Sequence, residues 1–342
     1  MQSVERLFTE GESVIPVVIK RRPASIFALA ILACYFPAVS SAQSYPAKPV
    51  RYIVPFPAGA SPDIIARLIT ERLSRMWGQQ VVVENRSGAG GTVGAAYAAR
   101  SPADGYTLFQ CNIASSAIAE SLYAKMPYDH QRDFAPLSRI GLAPNVLVVH
   151  PSMPARSVQE FIAYARAHPG KLSYGSSAAG VSPQLAMELF KLTAKIDVVH
   201  IPYQGAPQAL SDVIGGQIPA SAQTAPAVLP AILSGRVRAL AVTGLKRISQ
   251  LPAVPTMHET ALPGFEVNSW YGLCAPAGTP EPILHKVHTD LTAVLRMPEI
   301  QQRFKDMVIE VAPTSREEFA QFIRAESARW ARVIKDAGIP QQ

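Results

Sequence analysis

The chain has 342 residues, 48% of them apolar and 17% charged, and a formal net charge of +7. That length exceeds one ordinary domain and suits two of roughly 100–150 residues each; the composition excludes an intrinsically disordered chain. Lysines and arginines are scattered, with no basic stripe interleaved with aromatics, which argues against a nucleic-acid partner and leaves the positive surplus as a solubility feature.

The N-terminal stretch IKRRPASIFALAILACYFPAVSSAQS has the order of an export signal: basic Lys20-Arg21-Arg22, an apolar run from Ala24 to Val39, then Ser40-Ser41-Ala42. The run is shorter than the roughly 20 residues of a membrane span and is broken by Pro37. Residues 1–42 are expected to be a signal peptide cleaved after Ala42, which places the protein in the periplasm. Lipid attachment at Cys34, within Ile31-Leu32-Ala33-Cys34, is the alternative; the apolar residues beyond Cys34 favour the later site. The remaining cysteines, Cys111 and Cys274, are expected as separate buried thiols, since spacing alone pairs nothing.

Val50–Phe56 reads as a buried strand. It is followed by PFPAGASPDIIARL, in which Ser61 is placed to cap a helix with Pro62 in its first turn. Ile64, Ile65, Leu68, Leu73, Met76 and Trp77 recur at helical spacing, and Gly78 stops the helix. Gln80–Glu84 is the next strand, NRSGAGGTVGAAYAA a glycine-rich turn and helix, and DGYTLFQC a third strand ending in a polar loop, Asn112–Ser116. This order predicts a parallel sheet with helices on its faces. A second set begins at APNVLVVHPS, with a strand over Val146–Val149 and an amphipathic helix in ARSVQEFIAYARAHPG. KLSYGSSAAGVSPQLAMELFKL, IDVVHIPYQGAPQALSDVIGGQ and RVRALAVTG continue it, Ser182-Pro183 repeating the Ser-Pro start. Thr279-Pro280 opens a late helix, and Ser315 with Glu318 has capping-box spacing before the last one, stopped at Gly338.

The recurring unit is strand, small-residue turn, helix N-terminus. Ligands of open parallel sheets bind beyond the carboxyl ends of the strands. Helix N-termini there present free N–H groups and partial positive charge, and small residues let an anion approach. A carboxylate or phosphate is the expected guest. The chain carries no GxSxG, Ser-x-x-Lys, HExxH, CxxC or complete phosphate loop. His285 and His288 read as a helix-surface pair, not a metal site, and Gly88, Gly90 and Gly94 follow GxGxxxG, not the dinucleotide spacing. No cofactor or metal is expected. The serines at 115, 116, 176, 177 and 182 have no histidine beside them in sequence, though a partner brought near by folding stays open.

YPAKPVRYIVPFPAGASPDIIARLI, VVVENRSGAGGTVGA, ADGYTLF, PNVLVV, GKLSYGSS, HIPYQGAPQAL, LPAVPT and APAGTP together resemble the periplasmic receptors of tripartite tricarboxylate transporters, the Bug family, in order from Tyr45 to the C-terminus. The resemblance implies an α/β, type II periplasmic-binding-protein fold: two lobes, each a mainly parallel sheet flanked by helices, closing by a hinge on a ligand cleft. The expected lobes are 43–142 with 244–342, and 143–243, with the C-terminal helix able to pack across; hinges are expected near Gly141–Asn145 and Val242–Leu245. It also implies a small organic carboxylate ligand, the two membrane subunits of a tripartite transporter as partners, a monomer and no catalysis. The ligand would be held in the first lobe by Ala58, Gly59, Ala60, Ser61, Asp63, Asn112, Ser115 and Ser116. The second lobe would add Ser176, Ser177, Ser182, Tyr203, Gly205, Gln223 and Thr224, and the last strand of the first lobe would lead to Trp270. The chain departs from the family pattern at Ala60, where a second glycine is usual, so Ala60 is expected at negative φ. It departs again at Gln223, where an Asp or Asn is common; a pocket without an acid there favours a simple carboxylic acid over an amino acid. The alternatives kept are a secreted hydrolase using a loop serine, and an orphan receptor that feeds a sensor.

Overall fold

The computed structural model describes residues 45–341; the expected signal peptide, its cleavage point and Cys34 lie outside the described residues. Along the chain run β1 (Val50–Val54), α1 (Ser61–Trp77), β2 (Val81–Asn85), α2 (Thr92–Ala99), β3 (Thr107–Phe109), a π-helical turn (Ala114–Ile118), α3 (Ala119–Leu122), α4 (His130–Asp133), β4 (Phe134–Val149), α5 (Val158–Ala167), β5 (Ser173–Ser176), α6 (Ser182–Ala194), β6 (Val199–Pro202), α7 (Ala206–Ile214), β7 (Ala220–Thr224), α8 (Ala225–Leu233), β8 (Arg238–Val242), α9 (Met257–Thr260), β9 (Asn268–Pro276), α10 (Glu281–Leu295), α11 (Pro298–Asp306), β10 (Glu310–Val311) and α12 (Arg316–Asp336). No helix among the described residues is long and apolar enough to cross a membrane.

The strands form one path, β2-β1-β3-β9-β4-β7-β5-β6, with β8 and β10 also paired to β4. The outer pairs β1–β2, β1–β3, β5–β6 and β5–β7 are parallel, as strand–helix–strand connections demand. The centre is antiparallel: β4 runs against β9 over Phe134–Pro144, then against β7 and β8 over Asn145–Val149. One long strand therefore serves both halves of the sheet, and its partners change between Pro144 and Asn145.

Only the last four residues of β4 read as a strand in the sequence. Pro136, Pro144 and Gly141 interrupt the rest, and the ladder with β9 shifts register at Pro136/Ser138 and Arg139/Gly141. Bulges are where a sheet tolerates proline. Gly141 is required by proximity: a Cβ there would lie 2.7 Å from the Glu310 carbonyl of β10.

Helix ends follow the local code in part. Gly78 caps α1 in the left-handed region (φ 61°), and Ser315 and Glu318 complete a capping box on α12. Ser61 does not cap α1. The N-cap is Ala60, in extended conformation, and Ser61 is the first helical residue. Ser182 is likewise first in α6, after Val181.

The expectation for the cysteines also fails: Cys111 and Cys274 form a disulfide, with Cα atoms 6.0 Å apart. Antiparallel pairing of Phe109 with Cys274 brings the two segments side by side. Cross-linking residues 163 apart in sequence restricts the unfolded chain by about 5 kcal/mol in the chain-entropy account. The last helix packs on the π-helical turn, α3 and β4. Trp270 and Trp330, both buried, direct their indole N–H groups to one carboxylate oxygen of Glu326 (3.2 and 3.1 Å), whose charge faces Arg329 at 3.3 Å. Truncating Trp330 removes one of the largest buried side chains, a change of the kind that costs about 3–5 kcal/mol.

Candidate functional site

The loop after β1 is built by Asp63. Its Oδ2 accepts the Gly59 N–H and Arg67 Nε, and its Oδ1 accepts Asn85 Nδ2, each at 2.9 Å. Burial raises the Asp63 carboxyl, but the bonds from Arg67, Gly59 and Asn85 outweigh it and hold it below the usual carboxylate range. Gly59 makes the turn at φ 79°, with open space where a Cβ would stand, and Ala60 keeps φ −71° as expected. Ala58 and Gly59 are exposed, Ala60 is half-buried and Ser61 is buried without a side-chain cap bond. An anion of the chain itself thus already occupies part of this helix N-terminus.

The expected polar loop after β3 is instead a buried π-helical turn. Asn112 Oδ1 accepts the Ala114 and Ser115 N–H groups (2.9 and 3.3 Å), and Asn112 Nδ2 donates to Ser115 Oγ (3.1 Å). Ser115 and Ser116 hydroxyls lie 3.4 Å apart, and Tyr128 clamps the turn from outside by donating to the Ser115 carbonyl (2.6 Å). Gln110 joins this segment to the first loop through Nε2 to the Pro62 carbonyl (3.0 Å).

In the second half, Ser182 accepts from Asn145 Nδ2 at 2.9 Å. Asn145 sits where β4 changes partners; its other Nδ2 bond goes to the Val267 carbonyl (3.2 Å), and its backbone N–H donates to Thr243 (2.8 Å). Thr224 stands opposite Asn145 and within hydrogen-bonding reach of the Tyr271 phenol, whose pKa burial drives upward. Tyr271 bridges to Asn112. Backbone pairing thus sets Asn112 beside Tyr271 and Thr224 beside Asn145, and the Asn145 side chain reaches Ser182 in one half and the Val267 carbonyl in the other. Gln223, the residue before Thr224, is buried, its Nε2 on Ser221 Oγ (2.9 Å).

Ser176 and Tyr203 form a second group, with the Tyr203 N–H on the Ser176 carbonyl (3.0 Å) and Gly205 at the N-cap of α7. The Tyr203 hydroxyl is taken by Asp212 (2.7 Å); burial first, then Asp212, pushes it up to about 12. Ser177 is half-buried at the start of the turn to Ser182. That turn meets the first half: a Cβ on Gly90 would come within 3.3 Å of the Ala179 carbonyl, and one on Gly180 within 2.6 Å of Leu122.

Folding does bring a histidine to a candidate serine. Ser176 Oγ lies 2.7 Å from His200 Nε2 and 2.8 Å from the Ala178 carbonyl. A carbonyl only accepts, so the hydroxyl proton goes to Ala178 and His200 must donate through Nε2–H. Burial pushes the imidazole down to about 4 against the pull of Glu188. A fully buried serine facing a donating, neutral histidine is not an activated nucleophile.

Sequence reading passed over Gln110, Tyr271, Asn85 and His200, and saw Asn145 only as part of a hinge. A polar residue closing an apolar strand was the available signal for Gln110 and Asn145; nothing local marked the others. Among the described residues no cluster of three metal-ligating side chains occurs. An open cavity of about 600 Å3 on the outer side of α2, lined by Arg51, Arg86, Tyr97 and Arg100 among others, shares none of the candidate residues.

Residues 65–339 match the family model described as the tripartite tricarboxylate transporter family receptor. The protein BugT of Bordetella pertussis is 37% identical over 299 residues, 87% of this chain and 92% of BugT. Among solved structures, Rpa4515 of R. palustris with adipate superposes with a TM-score of 0.84 at 37% identity, covering 87% of this chain and all of that one. MatC of Rhodopseudomonas palustris with bound malate gives 0.79 at 31%, covering 85% and all. The fold is that of the periplasmic binding proteins, and the chain belongs to the Bug family of tripartite tricarboxylate transporter receptors, the periplasmic solute-binding proteins.

Proposed function

We propose that the protein captures a small organic carboxylate between two lobes, residues 43–142 with 244–342 and residues 143–243, and delivers it as a monomer to the membrane subunits of a tripartite transporter. The observation that carries this reading is the junction where β4 changes partners: Asn145 there stands opposite Thr224 and bonds Ser182 of one half and Val267 of the other. The adipate and malate held by two relatives supply the ligand class. The first crossing lies at Pro144–Asn145 and the second begins at Thr243, which bonds Asn145 and accepts the Val267 N–H; these are the hinge positions proposed. The leader is cleaved after Ala42. The site has no activated nucleophile at Ser176, which favours capture over hydrolysis.

The test is a melting series with aliphatic di- and tricarboxylates, aromatic acids, amines and neutral sugars against a chloride control. Ligand at 100 times its Kd adds about 2.7 kcal/mol to stability. At least one carboxylate should raise the melting temperature and be recovered unchanged. Stabilisation by amines or sugars alone defeats the proposal.

A further inference from the structure

We propose that the open cavity on the outer side of α2 is a second binding site, for an oxyanion of two charges carried on an apolar body. The site uses none of the residues assigned to the cleft and does not rest on the carboxylate reading above.

The sheet dictates where the cavity lies. Parallel pairing sets Arg51 beside Val82 and Ile53 beside Glu84, and paired residues of a parallel ladder point to one face. Tyr52, Val54 and Val81, on the other face, pack in the core with Ile65 and Ile69 of α1. The helix on the Arg51 face is α2, TVGAAYAA, eight residues long and half alanine. Its alanines cover Ile53. The edge strand β2 stays open on this face, with Val82 42% exposed. The cavity of about 600 Å3 lies here, over Arg51 and Arg86.

Cations occupy the open face. Arg51 gives Nη1 to the Tyr97 hydroxyl and Nη2 to Thr107 Oγ1 (2.8 Å), both neutral partners. Arg86 stacks on the Tyr97 ring, its guanidinium carbon 3.5 Å from the centroid, and reaches one oxygen of Glu84 through Nε and Nη2 (3.4 and 3.2 Å). Arg100, three residues beyond Tyr97, is exposed. No acid lines the cavity, and among the described residues Glu84 is the one carboxylate paired with any of the three arginines. Three guanidiniums against one carboxylate leave two positive charges uncompensated.

A sheet face can be covered by the stem of one long side chain. The Tyr97 stack goes further, because it fixes Arg86 by its flat face. A guanidinium held that way presents its N–H edge, and that edge grips a carboxylate or phosphate oxygen pair; Glu84 takes Nε and Nη2 and leaves Nη1. The hydroxyls of Thr92 and Ser101 donate to backbone carbonyls at 3.0 Å each, so the donors left to a guest are the arginines. Val93, 50% exposed, and Ala96, Pro102 and Pro127 make the apolar part of the lining. A single negative charge leaves one guanidinium unanswered, and a bare phosphate fills too little of the cavity to meet the apolar lining. A phosphate monoester and a dicarboxylate, each on a hydrocarbon body, answer both demands.

The experiment is calorimetry at low ionic strength and about pH 8, where a phosphate monoester carries close to two charges. The probes are phenyl phosphate, phthalate, inorganic phosphate and benzoate. Phenyl phosphate or phthalate should bind at least tenfold tighter than inorganic phosphate and than benzoate, and the tighter of the two names the acid group. Arg100→Glu reverses an exposed charge, so the fold should survive, checked by circular dichroism, and that probe should weaken at least tenfold. Arg86→Gln gives a second reading of the same loss should Arg100→Glu not fold. Both variants should keep the parent's affinity for the acid found in the melting series. If that series finds no acid, the four probes still decide, so the two readings fail separately. The proposal is overturned if neither phenyl phosphate nor phthalate binds, if inorganic phosphate or benzoate binds as tightly as they do, or if their affinity is unchanged in the arginine variants.

Discussion

Ser61-Pro62 and Ser182-Pro183 open helices with the same dipeptide, each after an extended residue, Ala60 (φ −71°, ψ 159°) and Val181 (φ −103°, ψ 158°). Neither serine caps its helix, and there the likeness ends. Before α1 the turn is organised by Asp63, which reaches back from inside the helix to the Gly59 N–H; Ser61 holds no cap. Before α6 the serine is itself the contact, receiving Asn145 from the strand that both halves share. The dipeptide sets the helix start in both places because proline suits the first turn. What the serine does is decided by what packs against it. The first turn is a local device with a charge of its own, and the second is a joint between halves.

The comparison breaks most sharply at Ala60. Ala60→Asp places a second carboxylate at the turn that Asp63 already organises. Negative φ at this position admits the residue without strain, so the fold should survive. Two unit charges 4 Å apart interact by about 4 kcal/mol at an effective dielectric of 20, close to a thousandfold in Kd, and a carboxylate ligand should be lost to that extent. Ala60→Asn, of similar size without charge, should lose far less. Calorimetry with the acid found in the melting series reads the difference, with circular dichroism as the folding control. An Asp variant that folds and binds like the parent removes the ligand from this turn.

Asp63→Asn sharpens the claim that the first turn runs on charge. It leaves the shape and removes the anion that three donors face, at a cost of about 2 kcal/mol near pH 7. The pH dependence has a definite sign. The folded pKa of Asp63 is depressed, so its contribution is fully present above the ordinary carboxylate value and is lost as pH falls through the folded one. The gap between parent and variant in urea denaturation should therefore be widest at pH 7 and narrow below pH 4. A gap independent of pH would mean that shape, not charge, holds the turn.

The same contrast separates what was legible in the sequence from what was not. The alternation of strands and helices was legible because periodicity and the glycine and proline stops act over a few residues, and both Ser-Pro turns were found that way. Most of β4 was not: Pro136, Gly141 and Pro144 look like breakers until β9 and β10 are laid beside them. The Asn112–Ser116 stretch reads as a polar loop because its polarity is satisfied inward, by Asn112 on the turn itself and by Tyr128 from outside. The disulfide depends on a strand pairing across 163 residues. In the site, the small residues were visible and their long-range partners were not. Asn145 meets Ser182, Thr243 and Val267, none of them near it in the chain.

The smallest effects discriminate most finely between the two serines. Ser182→Ala removes the acceptor of one Asn145 Nδ2 hydrogen and leaves that donor buried, since its other hydrogen is committed to Val267. An unsatisfied buried donor costs about 1–3 kcal/mol, and because Asn145 sits where β4 changes partners the loss should appear in global unfolding. Ser61→Ala breaks no cap bond, so its cost should stay within about 0.5 kcal/mol, the range of changes that touch no special feature. Urea denaturation of the two variants side by side measures both. Equal losses would show that the Ser-Pro start itself carries the stability, and the distinction between a local turn and a joint would fail. Unequal losses in the stated order leave Ser61 free of a structural task. Any fall in carboxylate affinity in Ser61→Ala, measured on a protein of unchanged stability, then reports contact at the first turn directly.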